Sequence, residues 1–308
     1  MLYSLARSFH RPLVRSSFLF SVKKFPASSR LMSSFSDFSG SESESASEIV
    51  ANAIQVRSII ASTCESLDIS SSSVELVAVS KTKPKEMIME LYNAGHRHFG
   101  ENYFQELVEK SVALPKDIIW HFIGHLQSNK ANQLVSKVSN LAVVETVDTL
   151  KLALKLQNAC INAGRDTPLD IYVQVDTSGE DSKGGVLPAD VIGFVDNVVK
   201  DCSALRVRGL MTIGAPGDLT CFDRLVSCRE ELSSHLGEDP STLILSMGMS
   251  GDYVQAIERG STSVRIGSTI FGARQYATQD KTEASLAAKA AVAAGVSTTE
   301  SDTDKESH

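Results

Sequence analysis

Short runs rich in β-branched residues recur through the middle of the chain. Each is followed by a stretch whose apolar positions fall three or four apart. The runs are Val74–Ser80, Arg97–Gly100, Ile118–Ile123, Leu141–Val147, Leu169–Val175, Val207–Ile213, Thr242–Ser246 and Ser263–Ile266. Ahead of the first, Ile49, Ala53, Val56, Ile60, Cys64 and Leu67 share one helical face, with Ser45 or Ser47 placed to cap it. Strands that alternate with helices predict a parallel sheet. Eight such units without a central reversal predict an α/β fold closed into a single (β/α)8 TIM barrel, preceded by one extra N-terminal helix. No G-x-G-x-x-G turn follows the first run, which argues against a dinucleotide-binding fold.

The ends read differently. Residues 1–36 carry Arg7, Arg11, Arg15, Lys23, Lys24 and Arg30, many serines and neither Asp nor Glu. Leu5, Phe9 and Leu13 recur at helical spacing with Arg7, Arg11 and Arg15 between them. That is the composition of an organelle transit peptide. Early arginines on one helical face favour the mitochondrion over the chloroplast, and a start at Met32 would instead leave a cytoplasmic protein. From about Gln279 the chain is rich in Ala, Thr, Ser and Asp, with a frayed helix expected over Ala284–Ala294 and disorder elsewhere. The expected organisation is residues 1–44 as transit peptide and linker, 45–276 as the barrel and 277–308 as a low-complexity tail.

Composition narrows the function. A formal net charge of −7 over 308 residues disfavours nucleic acid as a partner. No apolar run reaches the ~18 residues of a membrane span. The five cysteines, Cys64, Cys160, Cys202, Cys221 and Cys228, are odd in number and form no C-x-x-C pair. They read as reduced thiols, neither a disulfide framework nor a zinc site, and no metal site is read elsewhere. A monomer or weak dimer is expected.

In a barrel of this kind the chemistry sits at the C-terminal ends of the strands. The polar residues there are Lys81, Glu101 and Asn102, His125, Glu145, Asp176, Thr212, Ser250, Arg265, Gly267 and Ser268. Val77, Val79 and Lys81 share a strand face, so an inward Lys81 would cap the apolar interior. Desolvation there lowers an ammonium pKa and frees an amine that condenses with aldehydes. Lys83 and Lys85 read as surface lysines whose stems lie along the protein. Ser263, Arg265 and Gly267 share the face of strand eight that carries small residues. Arg265 there suits either a bulky ligand or a buried ion pair with Glu101, Glu145 or Asp176. Gly267 and Ser268 offer backbone amides to phosphate, and Ser250 reads as the cap of a helix running to about Arg259. An amine, an arginine and an anion nest at one mouth suit an aldehyde that carries a phosphate. Pyridoxal phosphate fits, and a phosphosugar aldehyde fits almost as well.

Four stretches carry a resemblance to a known family: Ala78–Pro84 (AVSKTKP), Phe99–Tyr103 (FGENY), His121–Lys130 (HFIGHLQSNK), and Leu245–Ser250 (LSMGMS) with Arg265–Gly272 (RIGSTIFG). From about Ile49 to Tyr276 the chain resembles the pyridoxal phosphate homeostasis protein family, whose fold is like the N-terminal barrel of alanine racemase. The resemblance implies that Lys81 holds pyridoxal 5′-phosphate as a Schiff base. It implies further that Arg265 faces the pyridine nitrogen, that Ser250, Gly267 and Ser268 hold the phosphate, and that Asn102 lies beside the cofactor. Asp176 departs from the family, which usually has Asn there, and a carboxylate at the mouth would weaken phosphate affinity or pair with a cation. The His121–Lys130 signature has no assigned role, although Ser128 or Asn129 is placed to cap the helix that follows.

The resemblance implies vitamin B6 homeostasis, with pyridoxal-phosphate-dependent apo-enzymes as possible recipients, and no reaction of the protein's own. The alternative is a pyridoxal-phosphate-dependent amino-acid racemase. Racemisation needs a base on each face of the cofactor. In alanine racemase the second base is a tyrosine from a further domain, and no tyrosine follows Tyr276 in this sequence.

Overall fold

A computed structural model of the chain describes residues 47–180 and 183–273. The transit peptide and linker expected over residues 1–44, the tail expected over residues 277–308 and the helix expected at Ala284–Ala294 all lie outside these residues.

Among the described residues eight parallel strands close into one barrel in chain order. They are β1 (Glu75–Val79), β2 (His98–Glu101), β3 (Ile119–Phe122), β4 (Leu141–Val147), β5 (Leu169–Gln174), β6 (Leu205–Met211), β7 (Ile244–Met249) and β8 (Ser263–Ile266). Closure comes from β1 pairing β8, with Glu75 opposite Ser263 and Ala78 opposite Ile266. Two strands sit off the expected positions. β6 starts and stops two residues earlier. β7 starts two residues later and runs three further, because Pro240–Thr242 forms a 3₁₀ turn capped by Asp239, whose carboxylate accepts the Ser241 N–H at 2.8 Å.

Side chains alternate between two environments along each strand. Leu76, Ala78, Phe99, Trp120, Phe122, Val144, Leu169, Ile171, Val264 and Ile266 are buried in the main apolar core with residues of the surrounding helices. Complete burial of a side chain as large as Phe or Leu contributes roughly 1.5–3 kcal/mol, so this layer dominates stability. The opposite parity fills the barrel interior, with Val143, Tyr172 and Met211 packed as a separate cluster.

The helices between strands are α2 (Lys85–Asn93), α3 (Phe104–Ala113), α4 (Ala131–Lys137), α5 (Leu150–Asn162), α6 (Val191–Asp201), α7 (Thr220–Leu236) and α8 (Tyr253–Glu258), with α9 (Ser268–Phe271) after β8. α9 is a single turn and cannot cover its share of the barrel wall. The preceding helix α1 (Glu48–Ser66) packs against α2, α8 and α9 and completes the outer layer. Ser47 caps it, accepting the Val50 N–H at 3.3 Å. Asn52 donates to the Ile270 carbonyl at 3.3 Å, and Arg57 donates to His96 Nδ1 at 2.5 Å. Burial, with the Arg57 guanidinium beside it, pushes the His96 imidazole down to about 3. It is therefore neutral at ordinary pH, and its Nε2 donates to the His98 carbonyl at 2.7 Å.

All five cysteines are buried and free. No described helix is long and apolar enough to cross a membrane.

Candidate functional site

A cavity of about 360 Å³ opens at the C-terminal end of the strands. Lys81, Asn102, Ser250, Arg265, Gly267 and Ser268 all line it, so strands one, two, seven and eight bring the six sequence-derived residues to one place. Val79, Ile123, Met211, Ile213 and Met249 supply apolar wall.

Lys81 follows β1 directly, and the backbone on both sides of it is tied down. Ser80 is fully buried; its N–H donates to the Gly100 carbonyl at 3.0 Å and its hydroxyl to Glu101 Oε1 at 2.6 Å. Lys110, from α3, donates to the Ser80 carbonyl at 2.9 Å, to Glu101 at 2.7 Å and to Glu106 at 2.9 Å. On the other side Thr82 adopts a φ of 61°, a conformation rare for a β-branched residue. Glu106 accepts its N–H at 2.8 Å. The lysine side chain therefore leaves from a fixed point at the rim.

Arg265 is almost completely buried. Its Nη1 donates to Ser246 Oγ at 2.6 Å and its Nη2 to the Thr212 carbonyl at 2.8 Å. Burial pulls the guanidinium pKa down, the nearby Glu145 and Asp252 carboxylates oppose this, and an arginine still keeps its charge. Two bonds from one edge fix the plane of the group in the cavity wall.

Ser250 hydroxyl accepts the N–H groups of Gly267 at 3.3 Å and Thr269 at 3.4 Å. Both are long, so these two amides converge on one spot without being strongly held. Gly248 makes this loop possible. Its φ is +92°, and a Cβ there would lie 2.5 Å from Ala256 Cβ, so only glycine lets α8 sit this close to β7.

Ser250 is not a helix cap: α8 begins at Tyr253 behind Asp252, and the Ser250 hydroxyl turns to the β8 loop instead. Lys83 is not a surface lysine. It is half-buried in the cavity wall, and its ammonium donates to the carbonyls of Phe271 at 2.8 Å and Ala273 at 2.9 Å. Glu101 does not face the mouth, because strand alternation turns it outward under α3 to meet Lys110. Asp176 neither lines the cavity nor pairs with a cation there. Its Oδ1 closes a tight turn, accepting from the N–H groups of Ser178 at 3.1 Å and Gly179 at 2.8 Å. Of the three partners considered for Arg265, only Glu145 is connected to it, through Ser246, whose hydroxyl donates to Glu145 at 2.6 Å.

The His121–Lys130 signature divides by face. Ile123 reaches the cavity. Gly124 lies against Asn102, where a Cβ would fall 2.0 Å from the Asn102 carbonyl oxygen, so the glycine lets Asn102 hold its place at the rim. Ser128 and Asn129 belong to a 3₁₀ turn that runs into α4, and neither caps that helix with its side chain. Lys110 was missed by sequence reasoning. The signal was present: Leu107, Lys110, Ser111 and Leu114 are buried at helical spacing, which puts a lysine on the apolar face of α3.

Residues 60–275 match the family model described as alanine racemase, N-terminal domain. The chain is 49% identical over 229 residues to the pyridoxal phosphate homeostasis protein of Mus musculus, covering 70% of this chain and 83% of that one. It is 49% identical over 210 residues to the protein of that name from Schizosaccharomyces pombe, covering 65% and 84%. Among solved structures it is similar to PipY of Synechococcus elongatus with PLP bound, at 31% identity and a TM-score of 0.60, covering 73% of this chain and all of that one.

Proposed function

The chain belongs to the pyridoxal phosphate homeostasis protein family, on the barrel of the alanine racemase N-terminal domain, and from that premise we propose that it binds pyridoxal 5′-phosphate covalently at Lys81 and serves the homeostasis of this cofactor without a reaction of its own. The observation that carries the reading is the meeting, in one cavity, of a lysine, a buried guanidinium and two convergent backbone amides. Asn102 Oδ1 adds to the fit: it is buried at the cavity rim with no hydrogen-bond partner among the described residues, as a group that meets a ligand donor would be.

When bound, pyridoxal phosphate supplies an aldehyde that condenses with amines and a ring that can accept electrons. Lys81 provides the amine. Gly267, Ser268 and Thr269 present N–H groups to the phosphate, and the Ser250 hydroxyl, which rotates freely, can turn from accepting those amides to donating to the same anion. Arg265 is the residue that would meet the ring nitrogen: it cannot act as an acid, and its positive charge would oppose protonation there.

The reading as a non-enzyme draws support from the cavity wall. Its titratable side chains among the described residues are Lys81, Lys83 and Arg265. Lys83 donates to two backbone carbonyls and the arginine cannot act as a base, so the described residues of the wall supply no second base for racemisation. The family name carried by the relatives supports it as well. We propose further that the loaded protein gives its cofactor to pyridoxal-phosphate-dependent apo-enzymes. Loaded protein mixed with such an apo-enzyme is expected to restore its activity mole for mole as the yellow colour leaves the donor. Retention of the cofactor over hours, with the apo-enzyme still inactive, contradicts the reading.

Residues 1–36 are proposed to direct import into mitochondria. Fused to a fluorescent reporter, they are expected to carry it there. A diffuse cytoplasmic signal points instead to initiation at Met32, and a plastid signal refutes the assignment.

A further inference from the structure

At the end of the barrel opposite the cavity, Glu75 and His98, the first residues of β1 and β2, meet His121, the third residue of β3. Glu75 Oε1 lies 2.9 Å from His98 Nδ1 and 3.4 Å from His121 Nε2, and the two imidazole nitrogens are 3.2 Å apart. We propose that these three side chains bind a divalent metal ion of the zinc class.

The triangle has the dimensions of such a site. Ligand atoms held about 2.0–2.1 Å from a tetrahedral zinc stand about 3.3 Å from one another, and the three observed separations bracket that value. Two imidazoles and a carboxylate are the donor set that zinc and its first-row neighbours favour. Glu75 and His98 are half-exposed while His121 is buried, so the triangle faces water on one side, and water completes the coordination.

A second observation concerns the far nitrogen of His121. His121 Nδ1 lies 2.7 Å from Glu145 Oε1, and Glu145 is fully buried. The other oxygen of Glu145 already accepts from Ser246. A carboxylate that only accepts requires the proton on Nδ1, which leaves the Nε2 lone pair aimed into the triangle. A carboxylate behind a histidine is the arrangement that fixes the tautomer and orientation of metal-binding imidazoles. The chain of bonds from His121 runs on through Glu145 and Ser246 to Arg265 in the cavity wall, so the two ends of the barrel are connected.

Cobalt(II) is the probe, because its visible absorption reports coordination directly. Titrated into the full-length chain free of other metals, it is expected to bind one equivalent with the intense visible bands of a four-coordinate N,O site, and Zn²⁺ is expected to displace it. Glu75→Gln and His98→Ala, both at half-exposed positions and tolerable to the fold, should each weaken binding at least tenfold. Circular dichroism and thermal melting of the two variants check that the barrel is intact. Absence of these bands in the wild type overturns the proposal. So does equal binding by wild type and a folded His98→Ala, which assigns the metal to another part of the chain.

Discussion

Borohydride reduction of the cofactor-loaded protein, followed by peptide mass spectrometry, is expected to find the pyridoxyl group on Lys81 alone, and Lys81→Ala is expected to carry no pyridoxyl label. The reason lies in how the rim is held. Ser80 is anchored by Gly100, Glu101 and Lys110, and Thr82 by Glu106, so the intervening lysine projects from a fixed backbone beside the cavity. Condensation with an aldehyde needs a neutral amine. Lys83, the nearest competitor, has its nitrogen engaged by two backbone carbonyl oxygens, and Lys85 is exposed at the start of α2. Lys81→Ala keeps the Ser250, Gly267 and Ser268 site, so it should still take up the cofactor reversibly, as equilibrium dialysis would detect. Label found mainly on Lys83 or Lys85 contradicts the account of the rim.

Lys110→Met is expected to be the most destabilising single change around the site, at about 3–5 kcal/mol. Lys110 and Glu101 form a buried pair at 2.7 Å, with Glu101 wholly inaccessible. Burial already pushes the Glu101 carboxyl up, and the Lys110 ammonium and the Ser80 hydroxyl restrain that shift. Removal of the ammonium leaves a buried acid whose charged form has the Ser80 hydroxyl as its main remaining support. For a domain of this size the loss corresponds to roughly 10 °C in Tm. The double variant Glu101→Gln/Lys110→Met removes both charges and should recover most of the stability, because it is the unmatched charge that costs. Denaturant melts of the three proteins decide the matter. A loss below about 1 kcal/mol would show that the pair behaves as a surface salt bridge.

The barrel was legible because its determinants are local. β-branched runs, helical spacing and strand parity suffice to place eight strands and to turn Val77, Val79 and Lys81 inward. The six residues meet because strand ends in a closed barrel meet. What failed needed knowledge of facing partners. Glu101 was grouped with the mouth as a polar strand-end residue, although its parity matches Phe99 and sends it under α3 to Lys110. Ser250 looked like a helix cap because a serine before an apolar run usually is one. Its actual partners come from the loop after β8, seventeen and nineteen residues on. Asp176 drew attention as a charge at the mouth, whereas its carboxylate satisfies its own turn. The Glu75, His98 and His121 triangle left no metal-ligand spacing, since each residue comes from a different strand, although His121 opens the signature stretch.

A barrel that holds pyridoxal phosphate without turning over amino acids is expected to leave their configuration intact. Loaded protein is incubated in deuterated solvent with a panel of amino acids, and deuterium at the α-carbon and inversion of configuration are read. No inversion is expected, with at most slow exchange of the α-hydrogen, as an open cavity with Lys81 on one side would allow. Inversion at an ordinary enzyme turnover of roughly 1 per second or faster, abolished by Lys81→Ala, would instead make the protein a racemase.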